Sequence, residues 1–276
     1  YSVTHKTSLK EENVAMKEQK VKILENAPIA AGIYKMRFAL SEKTDGLFCG
    51  KFVNISVGDG AHLLRRPIAI CEHGEENGVQ TVTICYQVKG AGTQAMSRAK
   101  VGDELACVLP LGNGFRLNEA QKRVALIGGG VGIFPMVSVL KEYAGEGKEF
   151  YSYIGFRNRD AVCMADVFSS LSSCAEIVTD DGSFGQKNNA VAAFFADYEK
   201  ARPDVVLACG PTPMLRALKT GLKERGIAVP CYLSLEERMG CGIGACLVCV
   251  CKKSGKEENA RVCKDGPVFE IGEVEI

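Results

Sequence analysis

The chain has 276 residues, 46% of them hydrophobic, with 34 basic against 33 acidic side chains and a net charge of +1. Near-neutrality implies no nucleic-acid or polybasic membrane surface, and the length allows two domains plus an appendage. Thirteen cysteines in a chain this long, without a signal peptide, predict a reducing cytoplasmic setting rather than a disulfide scaffold.

Residues 1–19 are rich in Lys and Glu and lack an apolar face, which predicts a polar tail or a loosely docked helix. Short alternating runs follow at 20–25, 33–40, 52–57, 68–72, 80–88 and 104–109, each bounded by Gly, Asp, Asn or Pro turns. Residues 20–118 therefore read as an antiparallel β-barrel. One strand opens with Arg66, Pro67, Ile68 and Ala69; a later stretch carries Tyr86, Val88, Gly90, Gly92 and Thr93. An arginine at a strand start can neutralise a pyrophosphate, while Gly90 and Gly92 let backbone approach phosphate oxygens and Thr93 opens a helix. For Arg66 alone, a surface arginine before a turn is the alternative.

Near residue 120 the rhythm changes. Apolar runs at 123–127, 150–156, 175–179 and 205–208 alternate with helical stretches at 135–143, 190–198 and 213–225. This predicts a Rossmann-like parallel α/β sheet over residues 119–226. The uncharged run 124–140 holds four glycines and a proline, so it reads as strand, glycine turn and helix start, not as a membrane span. Gly130-x-Gly132-x-x-Pro135 lies where backbone amides and a helix N-terminus can hold a diphosphate. No Gly-Lys-Ser/Thr follows, which excludes an ATPase P-loop. Cys209 and Gly210 end the last of these strands, at the edge where open α/β sheets bind ligands. Asp180 and Asp181 follow another strand; Asp181 is a candidate for the adenosine ribose, with an ordinary capped turn as the alternative. Either carboxylate facing that ribose would repel a 2′-phosphate and favour NADH, whereas Arg157 and Arg159 could reverse the preference.

Residues 227–276 form a cysteine module: Cys241-x₄-Cys246-x₂-Cys249, closed by Cys263. Soft thiolates at this spacing suit a [2Fe–2S] cluster, and Gly242 and Gly244 let the loop bend around it. Structural zinc is the alternative. The other nine cysteines are mostly flanked by apolar residues and read as small buried hydrophobes. The three histidines, His5, His62 and His73, lie in the tail or in barrel loops, so no catalytic acid–base residue is expected.

Taken in order, Arg-x-x-Ala, Gly-x-Gly-Thr, Gly-x-Gly-x-x-Pro and Cys-Gly-Pro-x-Pro-Met resemble the ferredoxin–NADP reductase superfamily. The runs 235–249 and 261–269 narrow the resemblance to the electron-transfer subunits of class 1B dihydroorotate dehydrogenase. It covers residues 20–276 and implies a multidomain β plus α/β fold: an FAD-binding barrel, an NAD-binding domain and a [2Fe–2S] module. It further implies that Arg66, Pro67 and Ile68 match the flavin strand, that Gly92 and Thr93 match the FAD pyrophosphate turn, and that Cys241, Cys246, Cys249 and Cys263 match the cluster ligands. Electrons would pass between NAD(H), FAD, the cluster and a separate FMN-containing dihydroorotate dehydrogenase catalytic subunit, in a two-plus-two heterotetramer serving pyrimidine (UMP) synthesis.

Two positions depart from the family pattern. Ala69 stands where Ser or Thr is usual near flavin N5, and Asn188–Asn189 stand where a glycine is expected. An NAD(P)H–ferredoxin oxidoreductase or hydrogenase-associated diaphorase subunit uses the same parts with another partner. A zinc-stabilised nucleotide-binding module is the non-enzymatic reading.

Overall fold

The computed structural model describes residues 16–57 and 60–276. In β1 (Lys17–Ala30) Val21 and Ile23 are buried while Lys20 and Lys22 are exposed, the period-2 alternation of a strand with one dry face. Five more strands follow: β2 (Ile33–Leu40), β3 (Phe52–Ile55), β4 (Arg66–Glu76), β5 (Val79–Gln87) and, after helix α1 (Ala91–Ser97), β6 (Glu104–Leu111). They close antiparallel in the order β1-β2-β5-β4-β3-β6 around Phe38, Ile55, Ile70, Ile84 and Leu109. Closure leaves no free sheet edge. The expected tail at 1–19 lies outside the described residues up to residue 15, but its end is corrected. Lys17–Gln19 already pair with β6, and buried Gln19 donates to Thr44 Oγ1 at 2.7 Å.

The second sheet is built from β7 (Arg123–Gly129), β8 (Glu149–Phe156), β9 (Cys174–Thr179), β10 (Gln186–Lys187), β11 (Val205–Cys209) and β12 (Cys231–Ser234). These are parallel, in the order β10-β9-β8-β7-β11-β12, with α2 (Ile133–Glu142), α3 (Ala165–Leu171), α4 (Ala190–Ala201) and α5 (Thr212–Glu224) as crossovers. Along β7 the side chains go alternately to two cores: Val124 and Leu126 to one, Ala125 and Ile127 to the other. Pro135 sits in the first turn of α2, where its missing N–H costs nothing. The uncharged run is thus strand, turn and helix, and no helix among the described residues is long and apolar enough to cross a membrane.

The C-terminal segment adds the hairpin β13 (Val250–Lys252) and β14 (Asn259–Arg261), then β15 (Val268–Glu270). β15 pairs antiparallel with β12, so the large sheet runs across the expected boundary at residue 227. The parts share cores as well: Phe52 and Leu111 of the barrel cluster with Cys249 and Cys263. Asn113 clamps barrel to module, its Nδ2 donating to the Val268 carbonyl at 2.7 Å and its Oδ1 accepting from the Val268 amide at 3.0 Å. Lys141–Glu72 (2.6 Å) and His73–Glu142 (2.8 Å) join α2 to β4.

Candidate functional site

Strand order fixes where ligands go. From β7 the chain winds outward through β8 and β9, then returns to place β11 on β7's other side. The crevice beyond the C-terminal ends of β7 and β11 is a topological switch point. Gly130–Gly132 leave β7 there as a short 3₁₀ turn into α2, and Cys209–Gly210 leave β11 beside them. The two turns touch: a Cβ on Gly132 would overlap the Cys209 carbonyl and lie 2.6 Å from Gly210 N. The crevice opens into a cleft of about 1130 Å³ bordered by Gly130, Arg157, Asp180, Gly210 and Arg216.

Asp180, not Asp181, borders that cleft. Ser183 donates to Asp181 Oδ1 from its amide (2.9 Å) and its hydroxyl (2.6 Å), an Asx turn that draws the Asp181 carboxylate into its own loop. Arg159 is likewise committed to the loop, with Nε donating to the Ser183 carbonyl at 2.9 Å; Arg157 faces the cleft. Asn189, at one of the two departing positions, caps α4 by accepting from Ala192 N at 2.9 Å and also borders the cleft.

A second cavity, about 280 Å³, lies between the barrel, α2 and the segment after β12. Arg66, Pro67, Ile68, Ala69, Tyr86, Thr93 and Cys209 border it. At one end the Arg66 guanidinium lies over Gly92, where a Cβ would come within 2.5 Å of its Cζ. Thr93 Oγ1 accepts from Lys89 N (3.0 Å) and Gly90 N (3.2 Å), which fixes the turn into α1. A guanidinium stacked on bare backbone beside a helix start suits a pyrophosphate. Val88 borders neither cavity; it packs against the barrel core, its amide bonded to the Gly32 carbonyl at 2.8 Å.

Gln87, Lys89, Val131, Leu235, Glu236 and Glu237 border both cavities, so the two sites meet there. Desolvation pushes the Glu236 carboxyl up, opposed by the Lys89 ammonium. Sequence reasoning missed Glu236; its signal was its place at the end of β12, in the run leading to the cysteines.

The four module cysteines fall into two pairs. Cys241 N donates to Cys246 Sγ at 3.3 Å, and Cys246 N to Cys241 Sγ at 3.4 Å; Cys263 N donates to Cys249 Sγ at 3.4 Å. Cys249 and Cys263 are buried, each 2% exposed, whereas Cys241 is half-buried and Cys246 exposed. Desolvation alone would raise the Cys241 thiol, yet the amides of Ile243, Cys246 and Ala245 and its contact with Cys246 bring it down to about 6. Burial and the neighbouring Cys249 push Cys263 up to about 12. Among the described residues no three His, Cys, Asp or Glu side chains group as one ion would need. Two cysteine pairs with amides aimed at sulfur fit a two-iron cluster, two thiolates to each iron. Of the other nine cysteines seven are buried, and Cys174 and Cys251 are half-buried.

Comparison with known proteins follows the same three parts. Residues 20–115 match the oxidoreductase FAD-binding domain family, 126–220 the oxidoreductase NAD-binding domain family, and 236–275 the iron–sulfur cluster binding domain of dihydroorotate dehydrogenase B. A Streptococcus mutans serotype c protein named dihydroorotate dehydrogenase B (NAD(+)), electron transfer subunit, is 41% identical over 229 residues, covering 82% of this chain and 86% of its own length. The chain belongs to that family of electron transfer subunits. The Fusobacterium nucleatum subsp. nucleatum member is 38% identical over 271 residues, covering 95% of this chain and 100% of its own. Among solved structures, an NADH-dependent reduced ferredoxin–NADP oxidoreductase superposes with a TM-score of 0.77 at 26% identity, over 92% of this chain and 89% of that one. The Amycolatopsis cytochrome P450 reductase superposes at 0.66 with 20% identity, over 78% and 68% of the chains, and shares the fold alone.

Proposed function

We propose that this chain carries electrons between NAD and an FMN-containing dihydroorotate dehydrogenase catalytic subunit in the cytoplasm, within a two-plus-two heterotetramer that serves pyrimidine synthesis. The observation that carries the reading is the continuity of the route. The nucleotide cleft meets the flavin cavity at Leu235–Glu237, and Met239 of the same segment borders the flavin cavity two residues before Cys241. A flavin exchanges hydride with a nicotinamide and single electrons with an iron–sulfur cluster, so these three sites in this order suit a two-to-one electron converter.

The chain's own residues do the positioning. Arg66 and the backbone at Gly92 hold the FAD pyrophosphate, Gly130–Gly132 and Gly210 hold that of NAD, and Asp180 meets the adenosine ribose and selects NADH. Val131 and Glu236 keep nicotinamide and flavin sites in register. The exposed apolar side chains Ile243, Leu247 and Val248, on the cluster loop itself, support docking of the partner over the cluster. Thirteen free cysteines suit a reducing compartment.

Co-expression with the FMN subunit encoded in the same genome should give a co-purifying complex that oxidises dihydroorotate with NAD. The isolated chain should reduce dye acceptors with NADH and leave dihydroorotate untouched. The structural likeness to an NADH-dependent reduced ferredoxin–NADP oxidoreductase supports one alternative, transfer to ferredoxin. Failure to co-purify, with efficient ferredoxin reduction, selects that alternative.

A further inference from the structure

The outer face of β3 carries Phe52 and Asn54. Cross-strand partners share a sheet face, and the partners here are Ala69 for Phe52 and Pro67 for Asn54. Phe52, Pro67 and Ala69 border the flavin cavity. Asn54 lies one step further along the same face, 1% exposed, beneath the first turn of the cysteine loop. Its Nδ2 donates to the carbonyl oxygen of Cys241 at 3.2 Å. The loop is shaped around it. Gly242 has φ +74°, and a Cβ there would come within 2.6 Å of Asn54 Nδ2.

The acceptor fixes the orientation of the amide, because a flipped Asn54 would set its oxygen against the Cys241 carbonyl. In the orientation so fixed, Oδ1 is buried without a hydrogen-bond partner among the described residues. A buried amide with half its bonding unmet is a poor device for stability, since an apolar side chain of the same size would leave nothing unpaired but the Cys241 carbonyl. Its value lies in where it holds that carbonyl.

We propose that Asn54 is a positioning residue for electron transfer, tying the backbone of cluster ligand Cys241 to β3, the strand paired with the flavin strand β4, and donating from its amide to the Cys241 carbonyl. This rests on the cluster reading of the four cysteines. Reduction adds negative charge to the cluster, and nearby donors set how readily that charge is accepted. The Asn54 donor therefore favours the reduced form, and its removal lowers the midpoint potential.

The test is an anaerobic EPR-monitored redox titration of the full chain with FAD bound, comparing wild type with Asn54→Leu. Iron, labile sulfide, FAD content and thermal midpoint are measured on the same samples. The expected result is full FAD and cluster, an undiminished thermal midpoint, altered g-values and a lower cluster potential. The shift should correspond to a several-fold change in the reduction equilibrium; tenfold is about 59 mV for one electron. Asn54→Ala, which only removes atoms, carries the same test if the leucine variant does not fold. An unchanged potential and spectrum overturn the proposal, as does a shift seen only together with loss of FAD or iron, which would mark Asn54 as merely structural. Wild-type protein without iron overturns the cluster reading, and this proposal with it, by a separate measurement.

Discussion

Arg66 shows why a residue is best judged with its neighbour. A lone arginine before a strand is ordinary surface, but its guanidinium lies over Gly92, so close that a Cβ there would collide with it. A charge-assisted contact to phosphate in that cradle is worth roughly 1.5–3 kcal/mol. Arg66→Ala should therefore weaken FAD binding by about 10- to 150-fold, read as FAD released on dialysis and by fluorescence titration. Gly92→Ala should do the same by displacing the guanidinium, with Arg66 still present; unchanged retention in both would show the cradle to be incidental. The cysteines separate as cleanly. Cys246→Ser should abolish iron and labile sulfide while FAD stays bound, because the barrel has its own core. Cys251, which borders the nucleotide cleft instead of joining either pair, can be changed to Ala with the cluster spectrum intact. Loss of the spectrum in Cys251→Ala would mean that the ligand set is misassigned.

Elements with strong periodicity were the legible ones. β2 spans the predicted 33–40, since every second side chain from Tyr34 to Leu40 packs on the barrel core and turns mark both ends. β12 was not legible: four residues, Cys231–Ser234, follow a proline and precede charged residues, and only pairing with β11 and β15 makes them a strand. α3 escaped for a similar reason, being seven residues whose one fully buried side chain is Phe168. The turn at Gly132 was legible as a motif, yet its real constraint is tertiary. The sequence pattern explains a glycine by phosphate approach, whereas the structure adds the Cys209 carbonyl packed against it. Gly132→Ala must push β7 and β11 apart at their C-terminal ends, an overpacking that costs about 1–3 kcal/mol. We expect a lower thermal midpoint together with a raised KM for NADH, while FAD content is preserved. A raised KM without any loss of stability would mean that the glycine serves only the ligand.

At the scale of the whole molecule, three sites had sequence signatures but their connections did not. Nothing in the spacing of Asp180 and Asp181 tells which carboxylate reaches the cleft; that depends on Ser183 capturing Asp181. Nothing in the sequence pairs Asn54 with Cys241, which lie 187 residues apart. Glu236 borders two cavities only because β12 joins a sheet whose strands β7 to β11 belong to the preceding domain. The shared cores make the three parts one body, and the cavity proposed for the flavin lies between the nucleotide cleft and the cysteine module. The measurement that tests this most directly is anaerobic titration of the isolated, fully loaded chain with NADH, following flavin absorbance and the EPR signal of the cluster together. The flavin should bleach and the cluster signal should then appear, without any partner present. A bleached flavin beside a cluster that stays oxidised, although dithionite reduces it, would contradict a continuous route through this chain.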